Sequence, residues 1–343
     1  MNHVAVDLGS RQSQLCVRTE AGEIQQEGKL LNTQLRAALA TLPKSRVVVE
    51  SSSEAFAVAD LALAAGHEVN IVPSGLSRSL GVGQRGVKTD KRDAQNLSMV
   101  SCRMEQLPKV HLPSREAREL RRLLTSREQL VTARTGMVNS VRGWMRSQLL
   151  RPARGTRPDN FPERIRELGA SRQEGLPEHI ERLLIVIQTL TEQLKAADKE
   201  LEGLASGHPI CQRLMTMPGV GPVTSATFLS TLDDVSRFKT AHAVESYLGI
   251  TPGEDSSGQT VKRLGITRAG PSRARRVLVQ SAWTAWRCRP DDPMVQWAHG
   301  VAQRRPTQVA IVALARKMVG ILFAMWRNGT DYSPRYNQRI QQS

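Results

Sequence analysis

The stretch HVAVDLG, residues 3–9, decides how the first third of this 343-residue chain folds. A short apolar run rich in β-branched residues reads as a buried strand. The run ends on Asp7, just before a glycine. SRVVVE, residues 45–50, repeats the pattern and ends on Glu50. A carboxylate closing a buried strand is unfavourable unless it is paired or holds a cation. Working outward, SQLCVRT (13–19) and GEIQQEGKL (22–30) read as strands joined through short turns, and HEVNIVP (67–73) as a strand stopped by Pro73. TQLRAALATL (33–42) and EAFAVADLALAAG (54–66) have helical spacing, the second ending at Gly66. GVGQRGVKT (81–89) reads as a Gly-rich flexible loop, and DKRDAQNLSMVSCRM (90–104) as a helix. Three antiparallel strands, then strand–helix–strand, then a helix predict an α/β domain with a mixed sheet over residues 1–110.

From about residue 111 to 206 the pattern is helical, interrupted around RPARGTRPDNFPERI (151–165). Heptad-like apolar spacing in IERLLIVIQTLTEQLKAADKELEGL (180–204) predicts long paired helices forming a coiled coil. Residues 207–343 form a third, mainly helical region. It holds MPGVGPVTSATFLS (217–230), the segment TPGEDSSGQT (251–260), a basic stretch and two terminal helices. Local composition makes TPGEDSSGQT a turn. VAIVALARKMVGILFAMW (309–326) is the nearest thing to a membrane span, but Arg316 and Lys317 interrupt it and argue for a buried or amphipathic helix.

The charge is segregated. The chain carries 48 Lys+Arg against 32 Asp+Glu, a net +16, with pI near 10.5. Residues 103–154 hold 12 basic and 4 acidic residues, and 258–289 hold 8 basic and none acidic. Such an excess favours a phosphate backbone as partner. The four cysteines form no C-x-x-C pair, which disfavours a zinc finger or disulfide framework and suits a cytoplasmic protein with reduced thiols. MNHVAVDLGS lacks the pattern of a signal peptide.

Asp7 and Glu50 close two strands that, as neighbours, would meet at one sheet edge. Asp90 and Asp93 are three apart, hence on one helical face. Four clustered carboxylates repel one another, and a hard divalent cation such as Mg²⁺ resolves the repulsion. Taken singly, Asp90 reads as an N-cap and Asp7 as part of a turn. Jointly, in this order, they fit the ribonuclease-H-like nucleases, in which two metal ions serve phosphoryl transfer. VAVDLGS is also similar to the first phosphate loop of the sugar-kinase and actin-like ATPases, but no second phosphate loop or adenosine motif follows. No G-x-x-x-x-G-K-[ST] loop is present. MPGVGPVTSA reads instead as a hairpin between helices that lays backbone amides on phosphate.

Together AVDLG, VVES, GVGQRGVKTDKRDA, MPGVGPVTSATFL and YLGITPGEDSSGQTVKRLGITRAGPSRARRVL resemble the DEDD transposases of the IS one-ten insertion-sequence family, to which the Piv DNA invertases are related. The resemblance runs over almost the whole chain. It implies a RuvC-like N-terminal domain, a coiled-coil middle, and a C-terminal transposase domain with a helix-hairpin-helix-like element. It places the four acids on Asp7, Glu50, Asp90 and Asp93, around a two-Mg²⁺ site, and the nucleophilic serine on Ser257, leaving Ser256 without an assigned role. It further implies donor and target DNA as substrates, a noncoding bridge RNA as guide, and dimers joining into tetramers in which one subunit's serine completes another's site. The location it implies is bacterial cytoplasm, on the nucleoid when DNA is bound.

The residue chemistry agrees with this resemblance. A serine hydroxyl needs activation to attack phosphorus. Lys262, Arg263, Arg268, Arg273, Arg275 and Arg276 flank it as candidate phosphate contacts, with Arg118, Arg121 and Arg122 on the first basic helix. Only 4% of the residues are aromatic, so base stacking would not dominate and a pairing guide would supply specificity. Two other readings fit the same residues: a RuvC-type junction nuclease using water as nucleophile, and a nucleic-acid-binding protein without catalysis.

Overall fold

Buried strands ending in acids require a sheet covered on both faces, and the first unit is built that way. The computed structural model describes residues 1–74, 76, 89–171, 174–257 and 260–334, with backbone alone over 254–257 and 260–263. The Gly-rich loop expected at 81–88 lies outside the described residues. The chain divides into two units, Met1–Pro113 and Ser114–Ser343.

In the first unit β1 (Asn2–Asp7) pairs antiparallel with β2 (Gln12–Arg18) and parallel with β4 (Ser45–Glu50). β3 (Ile24–Leu31) extends the sheet beyond β2, and β5 (Glu68–Val72) beyond β4, for the order β3-β2-β1-β4-β5. Strand alternation sends Val4, Val6, Val47 and Val49 to one face, against α1 (Leu35–Thr41) and α2 (Ala55–Ala64). Ala5, Val48 and Val72 go to the other face, against Leu97 and Val100 of α3 (Asp90–Arg103). Helices on both faces explain why the central strands are continuous apolar runs rather than alternating ones.

The second unit is mostly helical. α4 (Arg115–Ser147), α5 (Phe161–Ala170) and α6 (Glu178–Gly207) share one core. Val138, Val141 and Met145 meet Phe161, Ile165, Leu184 and Ile187 there. α7 (Pro209–Met215), α8 (Pro222–Leu232) and α9 (Ala241–Tyr247) follow. Next come the two-stranded ribbon of β6 (Pro252–Ser257) and β7 (Thr260–Ile266), then α10 (Ser272–Cys288), α11 (Pro293–Ala302) and α12 (Thr307–Asn328). Thus, among the described residues, three helices follow the ribbon where two were expected, because much of the basic stretch is itself the amphipathic helix α10, burying Ala274, Val277, Leu278 and Ala282.

α12 is long and apolar enough to cross a membrane by length and composition. However, 61% of its most apolar window is buried, with Leu314, Met318 and Leu322 in the core formed with α10 and α11. The two charges near its middle are absorbed locally. Arg316 Nε donates to Glu245 Oε2 at 2.6 Å, and Lys317 Nζ lies 4.5 Å from the Trp297 ring centroid. Burial draws the Lys317 pKa below its ordinary value. All four cysteines are free thiols.

Candidate active site

The acidic corner follows from strand parity. Asp7 continues the face of His3 and Ala5, and Glu50 that of Val48, so both belong to the α3 side of the sheet. Val6 pairs with Val49 in the parallel β1–β4 ladder, which brings the next residues, Asp7 and Glu50, to the same carboxyl edge. Both are half-buried.

α3 runs antiparallel to β1 over this face, and its hydrogen bonds fix its level. Ser101 Oγ is 2.9 Å from His3 Nδ1, at the start of β1. Ser98 Oγ is 3.3 Å from Cys16 Sγ, and Cys16 pairs with Ala5. The first turn of α3 therefore reaches the level of Asp7. Thr89, rather than Asp90, caps the helix, its hydroxyl accepting from Arg92 N at 3.3 Å. Asp90 and Asp93 lie in the first turn, where the helix dipole favours negative charge.

Lys29 is a participant that the sequence did not reveal. Asp7 pairs with Gln14, and Gln14 with Lys29, so the three form one row on the α3 face. Lys29 Nζ donates to Asp90 Oδ2 at 3.1 Å. Its backbone stands two strands from Asp7, about 10 Å at the usual strand spacing. The neighbouring Glu27 accepts from Lys91 and from Gln95, the latter at 2.7 Å, and these hydrogen bonds, that from Lys91 foremost, hold its pKa below the ordinary carboxylate value. Asp90 is thus drawn toward β3. Among the described residues no three His, Cys, Asp or Glu side chains form a ready metal-binding group. The donor set nonetheless suits a hard cation. It consists of carboxylates only, two of them on adjacent strand ends beneath a helix turn that bears the other two.

In the second unit the segment expected as a turn is largely strand. β6 carries Ser256 and Ser257, with Ser256 opposite Val261 and Ser257 opposite Thr260 at the end of the ladder. The register also sets Glu254 opposite Arg263 and Asp255 opposite Lys262. The side chains of Ser256, Ser257, Lys262 and Arg263 lie outside the described residues.

The root of the ribbon is tied tightly. Gly249 (φ 66°) and Gly270 (φ 73°) take left-handed backbone, and a Cβ on them would sit 1.9 Å from Ala269 O and 2.1 Å from Tyr247 O respectively. Glycine is therefore required where the two chain segments cross. Arg275 Nη1 donates to the carbonyls of Leu248, Ala269 and Gly270 at 3.0, 2.6 and 3.0 Å, stapling the crossing to α10.

Several arginines expected to meet phosphate are engaged inside the protein. Arg121 Nε donates to Ser230 O at 2.7 Å, and burial lowers its pKa from the ordinary value. Arg273 pairs with Glu128 and donates to Thr125 Oγ1 at 2.9 Å, and Arg276 also pairs with Glu128. Burial pushes the Glu128 carboxyl up, but hydrogen bonds from Arg276 and Arg273 outweigh it and leave the pKa below its ordinary value. Arg122 pairs with Glu119 on the surface, and Arg118 Nε donates to Ser114 O at 3.4 Å. Arg268 is exposed, with left-handed backbone at φ 57°.

Comparison with known proteins covers both halves of this arrangement. Residues 4–148, which hold all four acids, match a DEDD-type model described as a transposase. Residues 211–294, which hold Ser257, match the model described as Transposase IS116/IS110/IS902 family. Nearly the whole chain is similar to the transposase for insertion sequence element IS1111A of Coxiella burnetii. The two are 26% identical over 335 residues, spanning 96% of this chain and 90% of that protein. The transposase for insertion sequence element IS1328 of Yersinia enterocolitica is 25% identical over 340 residues, spanning 96% and 98%. These matches define the class as insertion-sequence transposases. Within it, the chain belongs to the IS116/IS110/IS902 family.

Proposed function

We propose that this transposase cuts and rejoins DNA through a serine–DNA intermediate, with Ser257 as nucleophile and Asp7, Glu50, Asp90 and Asp93 as the acidic site of a RuvC-like domain. The observation that carries this reading is the meeting of Asp7 and Glu50 at one sheet edge, level with the helix turn bearing Asp90 and Asp93. These carboxylates would hold Mg²⁺, which polarises the scissile phosphate when bound.

Ser257 Oγ attacks phosphorus, the bond to the 3′ oxygen breaks, and that oxygen takes up a proton as a free 3′-hydroxyl. In rejoining, a 3′-hydroxyl from the partner strand attacks the phosphoserine, and the serine oxygen leaves and recovers its proton. No net phosphodiester is lost. The root staple of Arg275, Gly249 and Gly270 sets where β6 starts, and so where Ser257 is presented. The helical segment 111–206 serves assembly through its long paired helices, and subunits join as dimers and tetramers that complete each site across subunits. A bridge RNA supplies target choice by base pairing, consistent with a chain poor in aromatic residues.

The test is a nicked suicide substrate followed by denaturing electrophoresis. The parent protein is expected to yield a covalent protein–DNA band that Ser257→Ala lacks. Recombination retained by the alanine variant would instead favour a water nucleophile.

A further inference from the structure

The arginines that sequence counting singles out on α4 are partly spent within the protein, but another group on the same helix is not. Residues 129–158 carry six arginines and no acidic residue. Two of the six are used internally. Arg134 Nη1 donates to Asp159 Oδ1 at 2.9 Å, and the Arg142 guanidinium lies 5.6 Å from the Phe161 ring centroid. The remaining four, Arg146, Arg151, Arg154 and Arg157, are exposed. They have no side-chain hydrogen bond, ion pair or ring contact among the described residues. All four sit where α4 ends and the chain crosses to α5.

Helix polarity does not account for them. A cation in the last turn of α4 gains from the dipole, which explains Arg146 but none of the three beyond the helix end. Four like charges without a counter-ion in one short segment repel one another. Leu149 stands at the same tip, 94% exposed and at a positive φ of 56°, a backbone state that costs a non-glycine residue about 1 kcal/mol or more. Neither feature stabilises the free protein. A guanidinium is also the side chain that best matches phosphate oxygens, through its fixed fork of donors.

We infer that the α4–α5 tip is a docking surface for the phosphate backbone of duplex DNA lying beyond the reacting strands. DNA is chosen because it is the substrate of the transposase class, and the inference rests on that reading.

The experiment uses the full chain and measures DNA affinity by fluorescence anisotropy as a function of salt. Arg146, Arg151, Arg154 and Arg157 are changed together to Gln, in two double variants as well, and together to Lys. Thermal melting checks the fold of each. For a duplex of about 30 base pairs, the quadruple Gln variant is expected to lose about tenfold or more in affinity at low salt, and its salt slope to fall by up to about 3.6. Each double variant should lose part of both, while the Lys variant keeps most of both. Affinity and slope unchanged for the long duplex would overturn the inference. So would a loss seen only with an RNA duplex of equal length, which would make the tip an RNA surface. Because the readout is binding, failure of the serine–DNA intermediate leaves this inference intact, and failure here leaves the serine mechanism intact.

Discussion

The acidic corner and the serine ribbon hold their candidate site residues by opposite means. Asp7 and Glu50 close strands with a neighbour on each side and a helix layer on each face. Their positions follow from backbone ladders that also form the core, so the site and the fold share the same interactions. Ser257 lies at the far end of a two-stranded ribbon, a construction that is marginal on its own. It is secured at the root by two glycines and one arginine. The difference teaches that side-chain roles cannot be assigned uniformly along the chain. In the first unit the acids stand at strand ends and a helix start fixed by the core; in the second, several arginines are spent on holding the scaffold.

The sharpest way to break this comparison is Asp7→Asn. If the corner is a metal-dependent centre, DNA cleavage should fall on the order of 10²–10³-fold, with the backbone ladders and DNA affinity nearly unchanged. A variant that cleaves normally would make the corner structural. Next comes Arg275→Ala against Arg276→Ala. Loss of Arg275 leaves three carbonyls without their donor and should cost about 2–3 kcal/mol, read as a lower melting point and a weaker covalent adduct. Loss of the more exposed Arg276 should cost less than about 0.5 kcal/mol. Equal effects would remove the distinction between staple and surface charge. The smallest effect is expected from Lys29→Met. An exposed ion pair is worth at most about 1 kcal/mol, so freeing Asp90 should raise Mn²⁺ affinity about two- to fivefold in a titration of the Ser257→Ala protein. A lowered affinity would show that Lys29 positions Asp90 for the metal rather than holding it back.

Much of the first unit is legible in sequence because its pattern and its packing are the same thing. An apolar run ending in an acid, twice, gives two strand ends and one edge. Lys29 was hidden by a single irregularity. The β2–β3 register shifts between Val17 and Arg18. Counting back from the hairpin without that extra residue sets Lys29 opposite Ser13 and on the wrong face, since a one-residue slip inverts a strand. The ribbon escapes the local pattern for a different reason. Gly, Pro, Ser and Asp in TPGEDSSGQT favour turns locally, but cross-strand pairing with Thr260–Ile266 overrides that preference. The internal partners of the arginines are hidden for a third reason: net charge says nothing about contacts. The ligands of Arg121 and Arg275 are backbone carbonyls, which no composition reveals.

The crossing of Gly249 and Gly270 also bears on how such a protein can change over time. Chain enters and leaves the ribbon at one closed point, and everything between 252 and 266 hangs from it. Lengthening, shortening or exchanging that segment leaves the knot and the helices beneath it undisturbed. The ribbon is therefore a separable part, attached at one point, and a place for deliberate grafting that keeps Ser257 in its register position.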